Sequence, residues 1–309
     1  MKKLLTGLVI AGLLTACGGT GTDAVAATVD GTEFTVADVR TLPFESGASL
    51  DSQLFASYLG ALIQWEILER AAAEEYDVAP TAEEIEAELQ NVLATQAAGM
   101  TLTEVAEQEN FSEDTIRRIV GIGLIRQQVA EKLAAAAGEP TAEEVATAMD
   151  EAVVGLTEVC VRHVLVATAD EAATAKSRLD DGEEFATVAG ELSTDPSAAE
   201  NGGDLGCAAA QQYVPAFRDA AATAGIDEIT EPVESEFGFH VLQVYERTEP
   251  TEEELPTEEE VRQSLIDESG TTQLQEWLLA TLEGSDVNVA EEFGTWTLDP
   301  QPSVVPPST

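Results

Sequence analysis

The spacing of apolar positions changes character along this chain. Leu54, Tyr58, Leu62, Trp65 and Leu68 recur at three- and four-residue steps, which predicts one helix from about Ser52 to Tyr76. Ile116, Ile119, Ile122, Leu124, Ile125 and Val129 predict a second, opened by Ser112 and ending near Gly138. Val261, Leu265, Leu274, Trp277, Leu278 and Leu282 predict a third, from about Glu258 to Leu282, whose stripe must be buried somewhere. Between the second and third the pattern differs. Val159-Cys-Val-Arg-His-Val-Leu-Val166 and Phe237-Gly-Phe-His-Val-Leu-Gln-Val244 are apolar, strand-like runs. Between them, helical stretches span Asp170 to Leu179, Phe185 to Leu192 and Pro215 to Ala222. Alternation of this kind predicts a small α+β domain inserted between helical segments.

Local signals place the element ends. Pro80-Thr-Ala-Glu-Glu84, Pro140-Thr-Ala-Glu-Glu144 and Pro256-Thr-Glu-Glu-Glu260 each put Thr at an N-cap with Glu three residues on. The Thr side chain takes an orphan N–H of the first turn and the Glu reaches back, so each stretch opens a helix. Ala27-Thr-Val29, Asp30-Gly31 and Glu33-Phe-Thr35 read as a hairpin with an Asp-Gly turn, after which Thr35 and Asp38 start a short helix. Residues 36–152 are therefore mostly helical, and their sequence holds no metal or nucleophile cluster. Val287-Asn-Val289 is a short strand-like run. Residues 298–309 carry Pro300, Pro302, Pro306 and Pro307 and are expected to be disordered.

The first residues set the compartment. Lys2-Lys3, an apolar run from Leu4 to Leu14 and Thr15-Ala-Cys17 read as a signal peptide over residues 1–16. Leu14-Thr-Ala-Cys17 resembles the bacterial lipobox, which implies a lipid on Cys17 and a chain anchored outside the cytoplasm to the bacterial cell membrane, on a tether of residues 17–24. Losing Lys2 and Lys3 takes the formal charge from −45 to −47, two positive charges fewer. Such a chain is excluded as a nucleic-acid binder, which needs a basic face, and it would hold to an anionic membrane through its lipid alone.

Cys160 and Cys207 remain, an even pair in an exported chain, which favours a disulfide. One consideration opposes it. Leu205 and Cys207 share a face if the strand is regular, so the pairing needs a kink at Gly206. A zinc set of Cys160, His163, Cys207 and His240 fails because residues three apart on a strand diverge; no metal is expected.

The chain has two histidines, His163 and His240, one in each strand-like run. Together with Gly202-Gly-Asp-Leu-Gly206, Val214-Pro-Ala-Phe217 and Phe237-Gly-Phe-His-Val-Leu242, they resemble the parvulin family of peptidyl-prolyl isomerases over residues 157–247. The resemblance implies a four-stranded antiparallel sheet with surrounding helices. It implies catalytic His163, Asp195 and His240, with Leu205, Tyr213 and Phe217 walling a proline pocket and Ser235 as a nearby hydroxyl. No cofactor is required for rotation about X–Pro. Two histidines in hydrogen-bond reach must be at least half neutral, since like charges disfavour each other. The sequence departs from the family in two places. The segment from Asp195 to the Gly-Gly-Asp turn is one residue longer than in the shortest parvulins, which would displace Asp195, and Tyr213 stands where Met is common. The loop Ala167-Thr-Ala-Asp170 has no basic cluster, so selection of phosphorylated substrates is not expected.

The whole layout, with Val29-Asp-Gly-Thr-Glu-Phe-Thr35 near its start, resembles the SurA/PrsA type of exported foldase. That implies a helical chaperone-like domain built from both chain ends, residues 25–152 and 251–297, with the isomerase inserted. The implied partners are unfolded or partly folded exported proteins. The alternative is a holdase chaperone whose parvulin domain grips peptides without isomerising them.

Overall fold

The computed structural model describes residues 22–44, 50–97 and 99–307. The signal-peptide and lipid-attachment expectations, on residues 1–16 and Cys17, lie outside the described residues. The chain divides into two compact units, one formed by residues up to Ala137 together with those from Asp267 onward, the other by Gly138–Ile266. The class is α+β, as the sequence pattern predicts.

The first unit opens with strands β1 (Val25–Val29) and β2 (Thr32–Thr35). They are joined by Asp30 (φ 45°) and Gly31 (φ 91°), the pair of left-handed residues that a tight hairpin needs. Helix α1 (Val36–Val39) follows the Thr35–Asp38 box. Helix α2 (Ser52–Tyr76) buries Leu59, Ile63 and Ile67 completely. Each such side chain contributes about 1.5–3 kcal/mol relative to exposure. Helices α3 (Ala82–Thr95), α4 (Leu102–Glu109) and α5 (Glu113–Ala137) complete this half. The α4 cap, Thr101 with Glu104, is a capping box that the sequence pattern hid, because it lacks the leading Pro of the other three.

In the second unit helix α6 (Ala142–Leu156) leads into strand β3 (Glu158–Val166). Then come helices α7 (Ala169–Asp180), α8 (Phe185–Leu192) and α9 (Ala198–Asn201), strand β4 (Asp204–Ala209), helix α10 (Pro215–Thr223), and strands β5 (Val233–Ser235) and β6 (Gly238–Thr248). The sheet is antiparallel in the order β4-β3-β6-β5. One face packs Val164, Val166 and Val241 against α7 and α8. The other packs Val159, Val161, Leu242 and Val244 against Phe217 and Ala221 of α10.

Helix α11 (Glu258–Gly284) carries the third apolar stripe. Leu274, Trp277 and Leu278 pack against Leu68, Ala72, Ile122, Ile125 and Val129 in the first unit. Trp277 Nε1–H donates to Glu75 at 2.9 Å. Strand β7 (Val287–Val289) then pairs antiparallel with β1, giving the order β2-β1-β7.

The end of the chain corrects the sequence reading. Residues 298–309 are not a disordered tail throughout. Strand β9 (Ser303–Val305) pairs with strand β8 (Thr295–Thr297), and Val304 is buried in the core of the first unit. The prolines bracket the Ser-Val-Val run without interrupting it. Gly60 of α2 eases the close approach, since a Cβ there would stand a tight 3.2 Å from the Val304 backbone nitrogen. The Gln64 side chain donates to the Pro302 carbonyl at 3.2 Å.

Candidate active site

Strand register brings the two histidines together. His163 stands opposite Leu242, and Leu165 opposite His240. His163 and His240 are therefore diagonal neighbours on one face of adjacent strands, close enough for their rings to meet. Both rings are buried, and their Nδ1 atoms lie 3.4 Å apart.

Asp195 completes one end of the pair. Its Oδ2 lies 2.6 Å from His163 Nε2, so the longer segment before the Gly-Gly-Asp turn does not take it out of reach. The turn Ser193 to Ser197 holds the carboxylate. Ser193 Oγ accepts from the N–H groups of Leu165 and Asp195, and the Ser197 N–H and Oγ–H both donate to Asp195 Oδ1, at 2.9 and 2.8 Å. The resemblance points to Asp195 but not to the turn that holds it. The signal that would have found it is the Asx pattern of an Asp followed two residues on by Ser.

Ser235 completes the other end. Its Oγ lies 2.8 Å from His240 Nε2 and accepts from the Phe237 N–H at 3.1 Å. These contacts favour one set of tautomers, although the Ser235 hydroxyl also lies 3.4 Å from the Gly238 carbonyl as a second acceptor. Burial alone would raise the Asp195 carboxyl, but the hydrogen bonds from Ser197 and His163 hold it below the usual carboxylate range, so it only accepts. A neutral His163 facing this carboxylate carries its proton on Nε2, and its Nδ1 is then placed to accept from a His240 Nδ1–H. His240 Nε2 in turn accepts from the Ser235 hydroxyl. The result is a one-way chain from Ser235 through His240 and His163 to Asp195. Burial lowers the His163 pKa despite Asp195 beside it, and burial with His163 as neighbour lowers that of His240 to about 4. Both shifts favour the neutral rings.

An apolar wall adjoins the pair. Pro215 opens α10, whose Phe217 is buried with its ring edge-on to both histidines, 5.8 Å from His163 and 5.2 Å from His240 between centroids. Tyr213 stacks on Phe217 at 4.6 Å, which satisfies its ring by packing. Leu205 of β4 packs into the same cluster. The structure thus gathers all seven of the sequence-derived site residues on one face of the sheet.

Gly203 explains why the Gly-Gly-Asp turn has the residues it has. It sits at φ +81°, its carbonyl accepts the His163 N–H at 2.8 Å, and a Cβ there would fall 2.5 Å from the His163 carbonyl oxygen. The Cys160–Cys207 disulfide links β3 to β4 at directly opposed positions. Gly206, at φ +70°, supplies the kink that turns Cys207 away from the face that Leu205 occupies.

Comparison with known proteins places this geometry. Residues 162–246 match the family model described as a PPIC-type PPIase domain. The foldase protein PrsA of Halalkalibacterium halodurans is 32% identical over 302 residues, covering 94% of this chain and 86% of the relative. The foldase protein PrsA of Oceanobacillus iheyensis is 30% identical over 241 residues, 76% of each chain. A crystal structure of a peptidylprolyl isomerase (PrsA) from Bacillus anthracis is 21% identical with a TM-score of 0.45, covering 73% of this chain and 95% of that one.

Proposed function

Because this chain belongs to the PrsA foldase family and carries a parvulin-type peptidyl-prolyl isomerase domain, we propose that it rotates X–Pro bonds at the histidine pair, with the proline ring held by Leu205, Tyr213 and Phe217. The barrier it lowers is about 18–20 kcal/mol, set by amide resonance. Twisting the amide removes that resonance, so the carbonyl becomes less polar and the nitrogen more basic. A dry site stabilises the less polar twisted amide relative to the planar one, which loses more solvation on entry. The residues serve this chemistry in three ways. Phe217, Tyr213 and Leu205 exclude water around the ring. His163 and His240, held neutral, add polar surface beside the bond without bringing a charge that water would follow. Asp195 and Ser235 fix the direction of the hydrogen bonds, so the pair meets the substrate in one arrangement.

The observation that carries this reading is the saturated chain from Ser235 to Asp195 set edge-on against Phe217. The test is a prolyl-peptide isomerisation assay on the full chain with and without His240→Ala. A folded His240→Ala protein with the full rate would sink the role of the pair, leaving the family assignment in place.

The helical unit is assigned the grip on unfolded clients. A pocket for one proline contacts few residues, whereas the first unit has an open cavity of about 570 Å³ where Val36, Leu50, Phe55, Phe293 and Pro307 line the wall together with Arg40, Asp51, Ser52 and Glu292. Exported, partly folded proteins are the proposed clients. The lipobox-like Leu14-Thr-Ala-Cys17 supports an extracytoplasmic, lipid-anchored location.

A further inference from the structure

Strand β4 reaches the site through a bulge. Cys160 faces Cys207 and Arg162 faces Asp204, so Val161 alone stands opposite both Leu205 and Gly206. Gly206 takes the left-handed conformation and donates its N–H to Asp204 Oδ1 at 2.9 Å. Leu205 is the residue that this bulge pushes into the cluster with Phe217 and Tyr213.

The bulge is pinned on both sides. On one side the Gly203 carbonyl accepts from the His163 N–H, and Asp204 accepts from Tyr245 Oη–H at 3.1 Å. On the other stands the disulfide, whose Cys160 is buried while Cys207 is exposed. β4 is the edge of the sheet, so no further strand holds it from outside. Beyond the disulfide the ladder continues through Val159 with Ala208 and Glu158 with Ala209, and Ala210 N–H donates to Thr157 O. Opening the disulfide would therefore free the segment from Leu205 to Cys207 while leaving the strand attached at both ends.

We propose that the Cys160–Cys207 disulfide is a positioning element of the isomerase. It fixes the bulge that presents Leu205 to the proline ring, so its reduction weakens substrate binding and leaves the histidine network untouched. This rests on the reading of Leu205 as part of the proline wall. His163, Asp195, His240 and Ser235 sit on β3, the Ser193–Ser197 turn, β6 and β5, none of them on the bulged segment, and the His163 N–H bond to the Gly203 carbonyl lies ahead of that segment. Reduction by a dithiol transfers two electrons and two protons. The Sγ–Sγ bond becomes two thiols, and the dithiol closes to its cyclic disulfide.

The test compares the full chain before and after dithiothreitol, and Cys207→Ser, which alters only the exposed partner. Steady-state isomerisation of a prolyl tetrapeptide is followed, with circular dichroism as the check on folding. KM should rise about five- to tenfold, with kcat within about twofold and its pH profile unmoved, as expected when binding common to ground and transition states is lost. In a Leu205→Ala protein, where KM is already raised, dithiothreitol should change it less than about twofold, because the residue being aimed is gone. An unchanged KM on reduction, a fall in kcat alone, loss of the domain's fold, or a Leu205→Ala protein that still responds in full would each overturn the proposal. If Leu205→Ala raises KM and reduction does not, the pocket stands and only the positioning role falls. If Leu205→Ala leaves KM unchanged, the pocket reading falls and takes this proposal with it.

Discussion

His163 Nδ1 and His240 Nδ1 face each other at 3.4 Å, and the partners at the two ends of the pair favour the arrangement in which His240 carries the proton there. Asp195 can only accept, and the Ser235 hydroxyl is nearer to His240 Nε2, at 2.8 Å, than to its other acceptor, the Gly238 carbonyl, at 3.4 Å. The direction is open to measurement. The chain has two histidines, so its imidazole nitrogen spectrum has two sets of signals. Long-range proton–nitrogen correlation should show His163 protonated on Nε2 and His240 on Nδ1. The opposite pair of tautomers would refute the one-way chain.

Titration should follow the same order. Burial depresses both histidines, His240 to about 4 with its neighbour's help, so activity should hold through neutral pH and fall only below the ordinary histidine value of 6.5, and it should be lost by about 4. A decline centred near 6.5 would mean that the ring is not desolvated in solution.

Stability should follow pH over a wider window. The folded pKa of His240, about 4, lies below the ordinary 6.5. Between these values the unfolded chain binds more protons than the folded one. The stabilisation is thus fully present above about 6.5 and is lost as pH falls, at up to about 1.4 kcal/mol per unit. Urea midpoints of the wild type and of His240→Gln should therefore converge between pH 7 and 4.5. Parallel curves would show that His240 titrates normally.

Isomerisation and the grip on clients should separate. Phe217→Ala removes the centre of the apolar wall and should abolish isomerisation while suppression of client aggregation by the full chain persists. Truncating a buried Phe costs about 3–5 kcal/mol, so folding must be checked. His163→Ala removes less packing and should also lower the rate. If Phe217→Ala, though folded, loses aggregation suppression as well, the two activities share one site.

The end of the chain should matter to stability. Ending it after Leu298 removes β9 and uncovers the face of α2 around Gly60, which should cost about 1–3 kcal/mol, the usual range for core damage of this size. An unchanged urea midpoint would mean that β9 is a passive appendage.

Cys17→Ala should release the protein from the membrane fraction into the soluble one. If the variant still sediments with membranes, the lipobox reading of Leu14-Thr-Ala-Cys17 is wrong.

Much of this was legible in the sequence because the signals were local. A Thr followed three residues on by Glu marks a helix start by chemistry that needs no tertiary context, and Thr81, Thr141 and Thr257 all behave that way. Two histidines in matching strands were visible for the same reason. What stayed hidden depends on distant partners. The β9 strand is held by β8 and by a glycine in α2, which the proline-rich ending gives no hint of. The protonation order depends on Ser235 and Asp195 being at opposite ends of the pair, a relation that only the sheet register sets. The kink at Gly206 could be named in advance as a requirement for the disulfide, but a bulge is a property of two strands and neither shows it alone.

The pairing of Ala27 with Val289 and of Val29 with Val287 has a consequence for how the chain is made. During synthesis and vectorial export the amino end emerges first, yet its sheet cannot close until β7, Val287–Val289, has followed. The strands β3 to β6 have every partner they need well before that. If they fold first, they shorten the effective contour that the two ends must bridge, and the entropy of closing that loop falls accordingly. The catalytic insert would then act as a clasp in the assembly of its own carrier, and maturation of the helical part would lag behind the onset of isomerase activity.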